Sequence, residues 1–204
     1  IRNPLNIIEG YSQQLKTDAN ASQVAKIERA TDRMRDLIDD TLALHMETDA
    51  VEEFTPTSIE EIADRAWEHV DTAGADLQVR DAFTIECNPD RMCRLLENLY
   101  RNAIEHNDEP VTIEVGEYST IGTSTRNSCD GFYVADNGTG IDSDDRETVF
   151  DFGETSSQDG TGLGLPIVKR VADAHGWDVK LVDSATGGAK FVFIGVETEH
   201  GTGR

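Results

Sequence analysis

Two asparagines, Asn98 and Asn102, stand four residues apart in a segment whose apolar spacing predicts a helix from Asp90 to about His106. Side chains four residues apart project from one face of a helix, so both amides should point the same way. The carbonyl oxygen of an amide suits a hard cation such as Mg²⁺, which keeps most of its water. The pair alone also fits an ordinary solvated helix face.

A carboxylate and two glycines follow the strand predicted from Gly131 to Ala135, in the run Asp136-Asn137-Gly138-Thr139-Gly140-Ile141. A carboxylate at the end of a strand can accept a hydrogen bond from an exocyclic amine, and the glycines let a ligand approach the backbone closely. The same letters also occur in ordinary Asp-Asn-Gly turns, so both interpretations are open.

Three alternating glycines, Gly160, Gly162 and Gly164, precede the helix predicted from Leu165 to His175. Amide groups at the start of a helix are free to hold phosphate, and the helix dipole adds to the attraction. The spacing is not the Gly-x-Gly-x-x-Gly of dinucleotide-binding folds, and no predicted strand precedes it. No Gly-Lys-Ser/Thr follows, which excludes a Walker A loop. The glycines therefore predict a phosphate site of another kind.

Short strands and helices alternate from residue 58 onward and predict an α+β fold, a mostly antiparallel sheet with helices on one face. A turn at Gly187-Gly188 joins the last two strands. Residues 119–130 are expected to form a loop, and residues 142–162 are polar and glycine-rich. The other predicted elements are a helix from Ile59 to Val70 and strands at Phe83–Cys87, Val111–Tyr118, Val179–Val182 and Lys190–Val196.

Apolar residues in the segment 1–50 recur in steps of four and three, which predicts two helices. A short polar connection at residues 17–22 joins them, so an antiparallel hairpin is expected. One hairpin leaves its apolar seam half exposed, and two hairpins paired as a four-helix bundle would cover it. We therefore expect a homodimer through residues 1–50. Packing of the hairpin onto its own C-terminal domain is the alternative.

The formal net charge is -22, from 40 acidic and 18 basic residues, and disfavours binding to nucleic acid. Thirteen of the 18 basic residues are arginine, and much acid with little lysine is typical of proteins from a salt-saturated cytoplasm. No apolar run approaches the roughly 20 residues of a membrane span. The cysteines form no Cys-x-x-Cys pair, which favours a reducing compartment. Ile1 begins inside a predicted helix, so we expect a piece of a longer protein.

Four motifs match, in order, the N, G1, F and G2 boxes of sensor histidine kinases: Asn98…Asn102, Asp136-x-Gly138-x-Gly140, Phe150-x-Phe152 and Gly160-x-Gly162-x-Gly164. Each box alone is modest, but four in order are specific. Residues 1–50 resemble the dimerisation and histidine-phosphotransfer hairpin of that family, and Ile1-Arg2-Asn3-Pro4-Leu5 is similar to the stretch just after the phosphoacceptor. The acidic composition resembles that of haloarchaeal sensor kinases.

The resemblance implies a helical hairpin, dimeric as a four-helix bundle, followed by a two-layer α/β sandwich of the Bergerat, or GHKL, ATP-binding type. The acceptor histidine would lie two residues before Ile1, outside this chain. The implied division is a hairpin at 1–50, a linker at 51–57, an ATP-binding catalytic domain at 58–197 and a tail at 198–204.

The resemblance also implies roles for single residues. Asn102 would hold Mg²⁺, Asn98 would lie beside the phosphates and take part in catalysis, and Asp136 would accept from the adenine amino group. Residues 142–162 would form the mobile ATP lid. The other residues implied to bind ATP are Gly138, Gly140, Ile141, Gly160, Thr161, Gly162, Leu163, Gly164 and Leu165. His106 ends the predicted helix and has two interpretations, a contact with the nucleotide or a cation at the helix C-terminus.

Several side chains depart from this pattern or have two interpretations. Asn3 resembles a residue used to dephosphorylate a response regulator, and pairing of the backbone near Pro4 is the alternative. Glu105 stands where many relatives carry a lysine near the phosphates, a charge that Arg101 or Lys169 could replace. The histidines His69, His175 and His200 have no visible partner and are expected on the surface.

The implied function is the cytoplasmic catalytic core of a two-component sensor histidine kinase. It would transfer the γ-phosphoryl of Mg-ATP to a histidine and then to an aspartate of a response-regulator receiver domain, under control of an upstream sensor domain. One alternative is an ATPase of the gyrase and HSP90 group, which uses a glutamate four residues before the metal asparagine. This chain has Asn98 at that position and Glu97 one residue off. The other alternative is a non-catalytic dimer scaffold that binds ATP for structure.

Overall fold

The computed structural model describes residues 31, 34, 53–107, 109–119, 131–146, 148–151 and 162–199. Thr31 and Met34 are helical, as predicted for the second helix of the hairpin. The remainder of the predicted hairpin, including Asn3, lies outside the described residues. The same is true of the predicted site residues Phe152, Gly160 and Thr161.

Eight strands and three helices of eight or more residues follow one another in the part of the chain that the structure describes from residue 53 onward. None of the described helices is both long enough and apolar enough to cross a membrane. The elements are β1 (Thr55–Ser58), α1 (Ile59–Trp67), β2 (Asp76–Val79), β3 (Thr84–Cys87), α2 (Pro89–Glu105), β4 (Thr112–Tyr118), β5 (Gly131–Asp136), α3 (Gly164–His175), β6 (Asp178–Asp183), β7 (Ala189–Ile194) and β8 (Thr198–Glu199).

The larger sheet has five strands in the order β2-β4-β5-β7-β6. Its pairs are antiparallel except for β2 and β4, which run parallel. At its centre, Val134 of β5 is opposite Val115 of β4 and Phe191 of β7. This confirms the predicted mostly antiparallel sheet. A smaller antiparallel sheet, in the order β1-β3-β8, accompanies it.

One face of the larger sheet shares a single core with the three helices. Alternate residues of β4, β5 and β7 point to this face, as the period of two in a strand requires. The helices contribute the buried stripes that their helical spacing predicts. The core residues that carry this packing include Ile113, Val115, Phe132, Val134, Phe191 and Phe193 from the sheet and Met92, Leu95, Leu99, Ile167 and Val171 from the helices.

The opposite face of the larger sheet carries a cluster of polar side chains. Tyr133 donates a hydrogen bond to Glu114, which also pairs with Arg80 at 2.6 Å. The Lys190 ammonium lies 3.6 Å from the centre of the Tyr133 ring, a cation–π contact. The helices therefore cover one side of the sheet, as the sequence predicts.

Local signals fix the ends of the helices. Ser58 caps α1 by accepting from the Glu61 backbone N–H at 3.5 Å. Asn88 caps α2 by accepting from the Arg91 N–H at 3.1 Å, and Pro89 occupies the first helical position. Gly176 ends α3 in a left-handed conformation with φ of 75°.

His175 joins the end of α3 to the start of α2. Its Nδ1 lies 2.7 Å from the Val171 carbonyl oxygen, and its Nε2 accepts from the Asn88 backbone N–H at 3.0 Å. The ring stacks on Trp177 and is buried, so the expected surface position was wrong. Burial lowers the pKa of His175, because the charged form would be removed from water.

The strand predictions missed three short elements. β1 lies across the end of the segment predicted as a linker, and β8 lies in the predicted tail. Both are edge strands of the smaller sheet, and an edge tolerates the proline Pro56 within β1. β2 has four residues of mixed polarity and gives no clear periodic signal. These strands are defined by their pairing partners rather than by their own sequence.

Candidate nucleotide-binding site

A buried carboxylate lies at the end of β5. Asp136 is 8% exposed, and its Oδ1 accepts from the backbone N–H of Gly138 at 2.8 Å and of Ala189 at 3.3 Å. Burial raises the pKa of Asp136, and the two N–H groups act in the opposite direction by favouring the carboxylate. No described residue donates to Oδ2, so this oxygen is the one suited to an external donor such as an amine.

The turn between β6 and β7 closes against this carboxylate. A Cβ at Gly188 would lie 2.1 Å from Oδ1 of Asp136 and 2.4 Å from its backbone oxygen, so only glycine fits. Thr186 Oγ1 also donates to that backbone oxygen, at 3.4 Å. On the other side, Gly140 has a φ of +75°, a conformation that favours glycine. The backbone of this turn is therefore closely packed against Asp136.

Asn107 connects the end of α2 to the loop after Asp136. Its Oδ1 accepts from the Thr139 N–H at 2.9 Å, and its Nδ2 donates to the Ala103 carbonyl at 2.8 Å. Neither Asn107 nor Gly188 was predicted from the sequence as a site residue. The sequence signal for Asn107 was an amide side chain directly after the predicted helix. Its partner in the loop, Thr139, is 32 residues away, so the contact could not be predicted from neighbouring residues.

The asparagine pair on α2 lies beside the start of α3. Asn98 is 5% exposed, and its Nδ2 donates to the Arg94 carbonyl at 2.8 Å. Its Oδ1 lies 3.3 Å from the position that a Cβ on Gly164 would take. Asn102 follows one turn later and is half-buried. The structure thus brings the Asn98…Asn102 pair next to the glycine-rich segment that begins α3.

The start of α3 offers backbone donors. The first bond within the helix runs from the Ile167 N–H to the Leu163 oxygen, at 3.0 Å. The N–H groups of Gly164 and Leu165 precede it and have no acceptor within the helix, whereas Pro166 has no N–H. Because α3 has twelve residues, its dipole adds positive potential at this end. This end of α3 is suited to an anion.

The structure also describes other residues that the sequence assigns to the site. His106 caps the C-terminal end of α2 and is half-buried. Ile141 packs against the core, and its carbonyl accepts from Arg146 Nε at 3.2 Å. Phe150 meets the Phe191 ring edge to face, with centroids 6.4 Å apart. Gly162, two residues before the first residue of α3, has a φ of +66°.

The charged residues that the sequence places near the phosphates differ in their exposure. Glu105 is exposed at the last residue of the helix, and Arg101 is half-buried one turn earlier. Lys169 pairs with Asp173 on α3, so of the two cations proposed to replace the missing lysine, Lys169 already has a partner.

The donor set fits a nucleoside triphosphate with a magnesium ion. Asp136 supplies an acceptor at one end, and the Asn98 and Asn102 amides with the α3 N–H groups suit phosphate and a hard cation at the other. These two ends are joined by α2, which runs about 10 Å from Asn98 to its last residue, Glu105.

Comparison with known proteins agrees with this geometry. A family described as "Histidine kinase-, DNA gyrase B-, and HSP90-like ATPase" matches residues 87–198, and the "His Kinase A (phospho-acceptor) domain" matches residues 1–49. Sensor histidine kinase ZraS of Klebsiella oxytoca is 27% identical over 212 residues, 95% of this chain and 43% of the relative. Cyanobacterial phytochrome A of Nostoc sp. strain PCC 7120 is 29% identical over 226 residues, all of this chain and 28% of the relative.

Solved structures share the fold. Full-length ShkA in complex with AMPPNP has a TM-score of 0.68 at 25% identity, covering 95% of this chain and 43% of that one. Mycobacterial sensor histidine kinase MprB has a TM-score of 0.58 at 24% identity, covering 71% and 97%.

This chain spans less than half the length of the relatives ZraS and phytochrome A. The chain is homologous to sensor histidine kinases and belongs to the histidine kinase-, DNA gyrase B- and HSP90-like ATPase family, with a phosphoacceptor-type segment at residues 1–49.

Proposed function

We propose that this chain is the catalytic core of a two-component sensor histidine kinase. It binds Mg-ATP, and the γ-phosphoryl passes to a histidine that we propose to lie just before Ile1. The observation that carries the proposal is the position of the Asn98 carbonyl against the start of α3, together with a buried Asp136 that keeps one oxygen for a ligand.

Each group has a separate task in this proposal. Oδ2 of Asp136 accepts from the adenine amino group, while the Gly138 and Ala189 N–H groups hold Oδ1. The N–H groups that begin α3 hold phosphate oxygens, and Asn98 orients the phosphates. Asn102 would bind Mg²⁺, which neutralises phosphate charge when bound. The chain's own contribution to phosphoryl transfer is then positioning and charge stabilisation.

The proposed ATP-binding set also includes His106, Gly138, Gly140, Ile141, Gly162, Leu163 and Leu165, together with Gly160 and Thr161, which lie outside the described residues. The proposed partners are a second copy through residues 1–50, a response-regulator receiver domain and an upstream sensor domain. Asn3 is proposed to assist dephosphorylation of that regulator. The same proposal includes a domain division at residues 1–50, 51–57, 58–197 and 198–204. It also includes a cytoplasmic location of this region and its adaptation to high salt.

Labelling with γ-labelled ATP tests the activity. The chain and a version extended by about one heptad of its natural upstream sequence are incubated with Mg²⁺ in molar KCl. We expect acid-labile, base-stable label on the extended chain alone, because the proposed acceptor lies upstream. The Asn102→Ala variant of the extended chain should bind Mg-ATP weakly and lose the label.

Other outcomes favour other functions. Steady phosphate release without a labelled protein would support the ATPase alternative. Bound nucleotide with neither label nor release would support the dimer scaffold. Label on the unextended chain would place the acceptor within the 204 residues, where His45 is the first to test. Full labelling of the Asn102→Ala variant would refute the magnesium role of that residue.

A further inference from the structure

Three potential metal ligands meet on the side of α2 that faces α1, away from the nucleotide site. His69 Nδ1 lies 2.8 Å from Glu97 Oε1, and Cys93 Sγ donates to the same oxygen at 3.4 Å. All three atoms lie within 4.8 Å of one another. We propose that His69, Cys93 and Glu97 form a binding site for a zinc ion, with water as its fourth ligand.

The types of donor atom point to zinc. Imidazole nitrogen, thiolate sulfur and carboxylate oxygen are its usual protein ligands, at about 2.0 to 2.3 Å from the ion. In tetrahedral geometry such ligands are separated by about 3.2 to 3.8 Å. The Cys93–Glu97 distance of 3.4 Å already falls in this range. The His69–Glu97 distance of 2.8 Å needs only a small opening.

The arrangement of the cluster allows that adjustment. Cys93 and Glu97 are four residues apart on α2, so one helix face presents both. The side chain of His69 is 57% exposed in the turn after α1, so it can move without disturbing the core. The C-terminal end of α1 also carries partial negative charge, which favours a cation beside it.

A bound zinc ion would take the place of the protons that Cys93 and His69 direct at Glu97. Cys93 is buried, and burial raises the pKa of its thiol, while the neighbouring Arg65 guanidinium lowers it. Arg65 is compensated by bonds of 2.9 Å to the Pro89 carbonyl and to Asp90. Zinc binding releases the thiol proton to solvent, and the imidazole proton that Nδ1 shares with Glu97 is exchanged through solvent to Nε2, which leaves Nδ1 free to bind the ion. No change in oxidation state is needed.

The bound ion would join the end of α1 to the middle of α2. Its ligand Glu97 directly precedes Asn98, but the two side chains meet different neighbours, Glu97 at α1 and Asn98 at α3. The expected effect is therefore on the stability of the α1–α2 pair rather than on nucleotide contacts, and the site does not depend on the proposed kinase activity.

Cobalt(II) is the probe, because it takes tetrahedral sites like zinc and absorbs visible light. The tag-free chain, freed of metal by a chelator, is titrated with Co²⁺ in molar KCl, and the bound cobalt is then displaced with Zn²⁺. We expect one equivalent of tetrahedral cobalt with a thiolate charge-transfer band, and a rise in melting temperature with zinc. Cys93→Ser should lose the charge-transfer band, and His69→Gln should weaken binding by more than about tenfold.

Matched variants separate this site from general effects. Glu60→Gln removes an exposed charge from the first turn of α1 and should bind cobalt like the parent. Cys87→Ala removes the other buried thiol among the described residues and should keep the charge-transfer band. His69→Gln alters an exposed side chain, so a folded circular dichroism spectrum is expected. Equal cobalt affinity in the parent and His69→Gln, or a thiolate band that survives Cys93→Ser, would overturn the assignment.

Discussion

The substitution Asp136→Asn keeps the size of the side chain and replaces one oxygen by an NH₂ group. The Gly138 and Ala189 N–H groups both point at Oδ1, so the amide oxygen of the variant should take that position. The NH₂ group then stands where Oδ2 stands in the parent. The position proposed to meet the nucleobase changes from an acceptor into a donor.

The size of the effect follows from the charge of the lost acceptor. A hydrogen bond to a charged group contributes about 1.5 to 3 kcal/mol, which corresponds to ATP binding about 10- to 150-fold weaker. Guanine carries a carbonyl oxygen where adenine carries its amino group, so the new donor should suit GTP. Stability should change by less than about 1 kcal/mol, because both N–H groups retain an acceptor.

Competition of ATP and of GTP against a fluorescent nucleotide analogue, with Mg²⁺ in molar KCl, measures both effects. The preference for ATP over GTP should shrink or reverse in the Asp136→Asn variant, at nearly unchanged melting temperature. Asp142→Asn, an exposed carboxylate of the same loop, is the matched control and should bind both nucleotides like the parent. A folded Asp136→Asn protein with parental ATP affinity, or an equal loss for both nucleotides, would refute the base-recognition role.

Three further predictions test other contacts. Gly188→Ala places a methyl group 2.1 Å from Asp136 Oδ1, so melting should show a loss of about 1 to 3 kcal/mol and ATP binding should weaken. Gly164→Ala places a methyl group 3.3 Å from Asn98 Oδ1 in a helical position; melting temperature should hold or rise, while Mg-ATP affinity falls about fivefold, or ~1 kcal/mol. The free energy of unfolding should decrease as pH falls below about 6.5, the unfolded pKa of His175, because native burial keeps its pKa lower.

Controls identify the cause of each effect. Gly187→Ala puts a methyl group where nothing lies within 4 Å, although φ there is +108°, so it should cost stability without the specific loss of ATP binding. For the pH dependence, urea unfolding at about pH 8 and about pH 5.5 is compared between the parent and His175→Gln. The unfolded chain binds more protons at His175, so removing this group should reduce the slope. An unchanged slope would contradict the assignment to His175.

Long helices with strong local signals were predicted from the sequence to within a residue. The helix expected from Asp90 to His106 is α2, and the one expected from Leu165 to His175 is α3. Their caps and periodic apolar faces depend on residues that are close in the sequence, and Gly176 marks the end of α3. The short strands β1, β2 and β8 were missed because strand formation depends on a partner elsewhere in the chain.

The candidate site shows the same division between local and long-range information. The motifs supplied the residue types, since Asn98, Asp136 and Gly164 all stand in recognisable runs. The contacts between these motifs could not be predicted from the sequence, because they join distant parts of the chain. The hydrogen bond between Asn107 and Thr139 spans 32 residues, and the one between Ala189 and Asp136 spans 53. A pattern of letters can suggest a carboxylate at a strand end, but only the packed turn shows which of its oxygens is left for a ligand.

The register of α2 favours the proposed kinase over the ATPase alternative. Successive residues of a helix point about 100° apart, so Asn98 and Glu97 cannot both face the same ligand. Asn98 meets the start of α3, and Glu97 is held by His69 and Cys93 on the side of α1. A carboxylate in that position is not placed to activate a water molecule at the phosphates. The one-residue offset therefore favours retention of the phosphoryl group for a protein acceptor over its transfer to water.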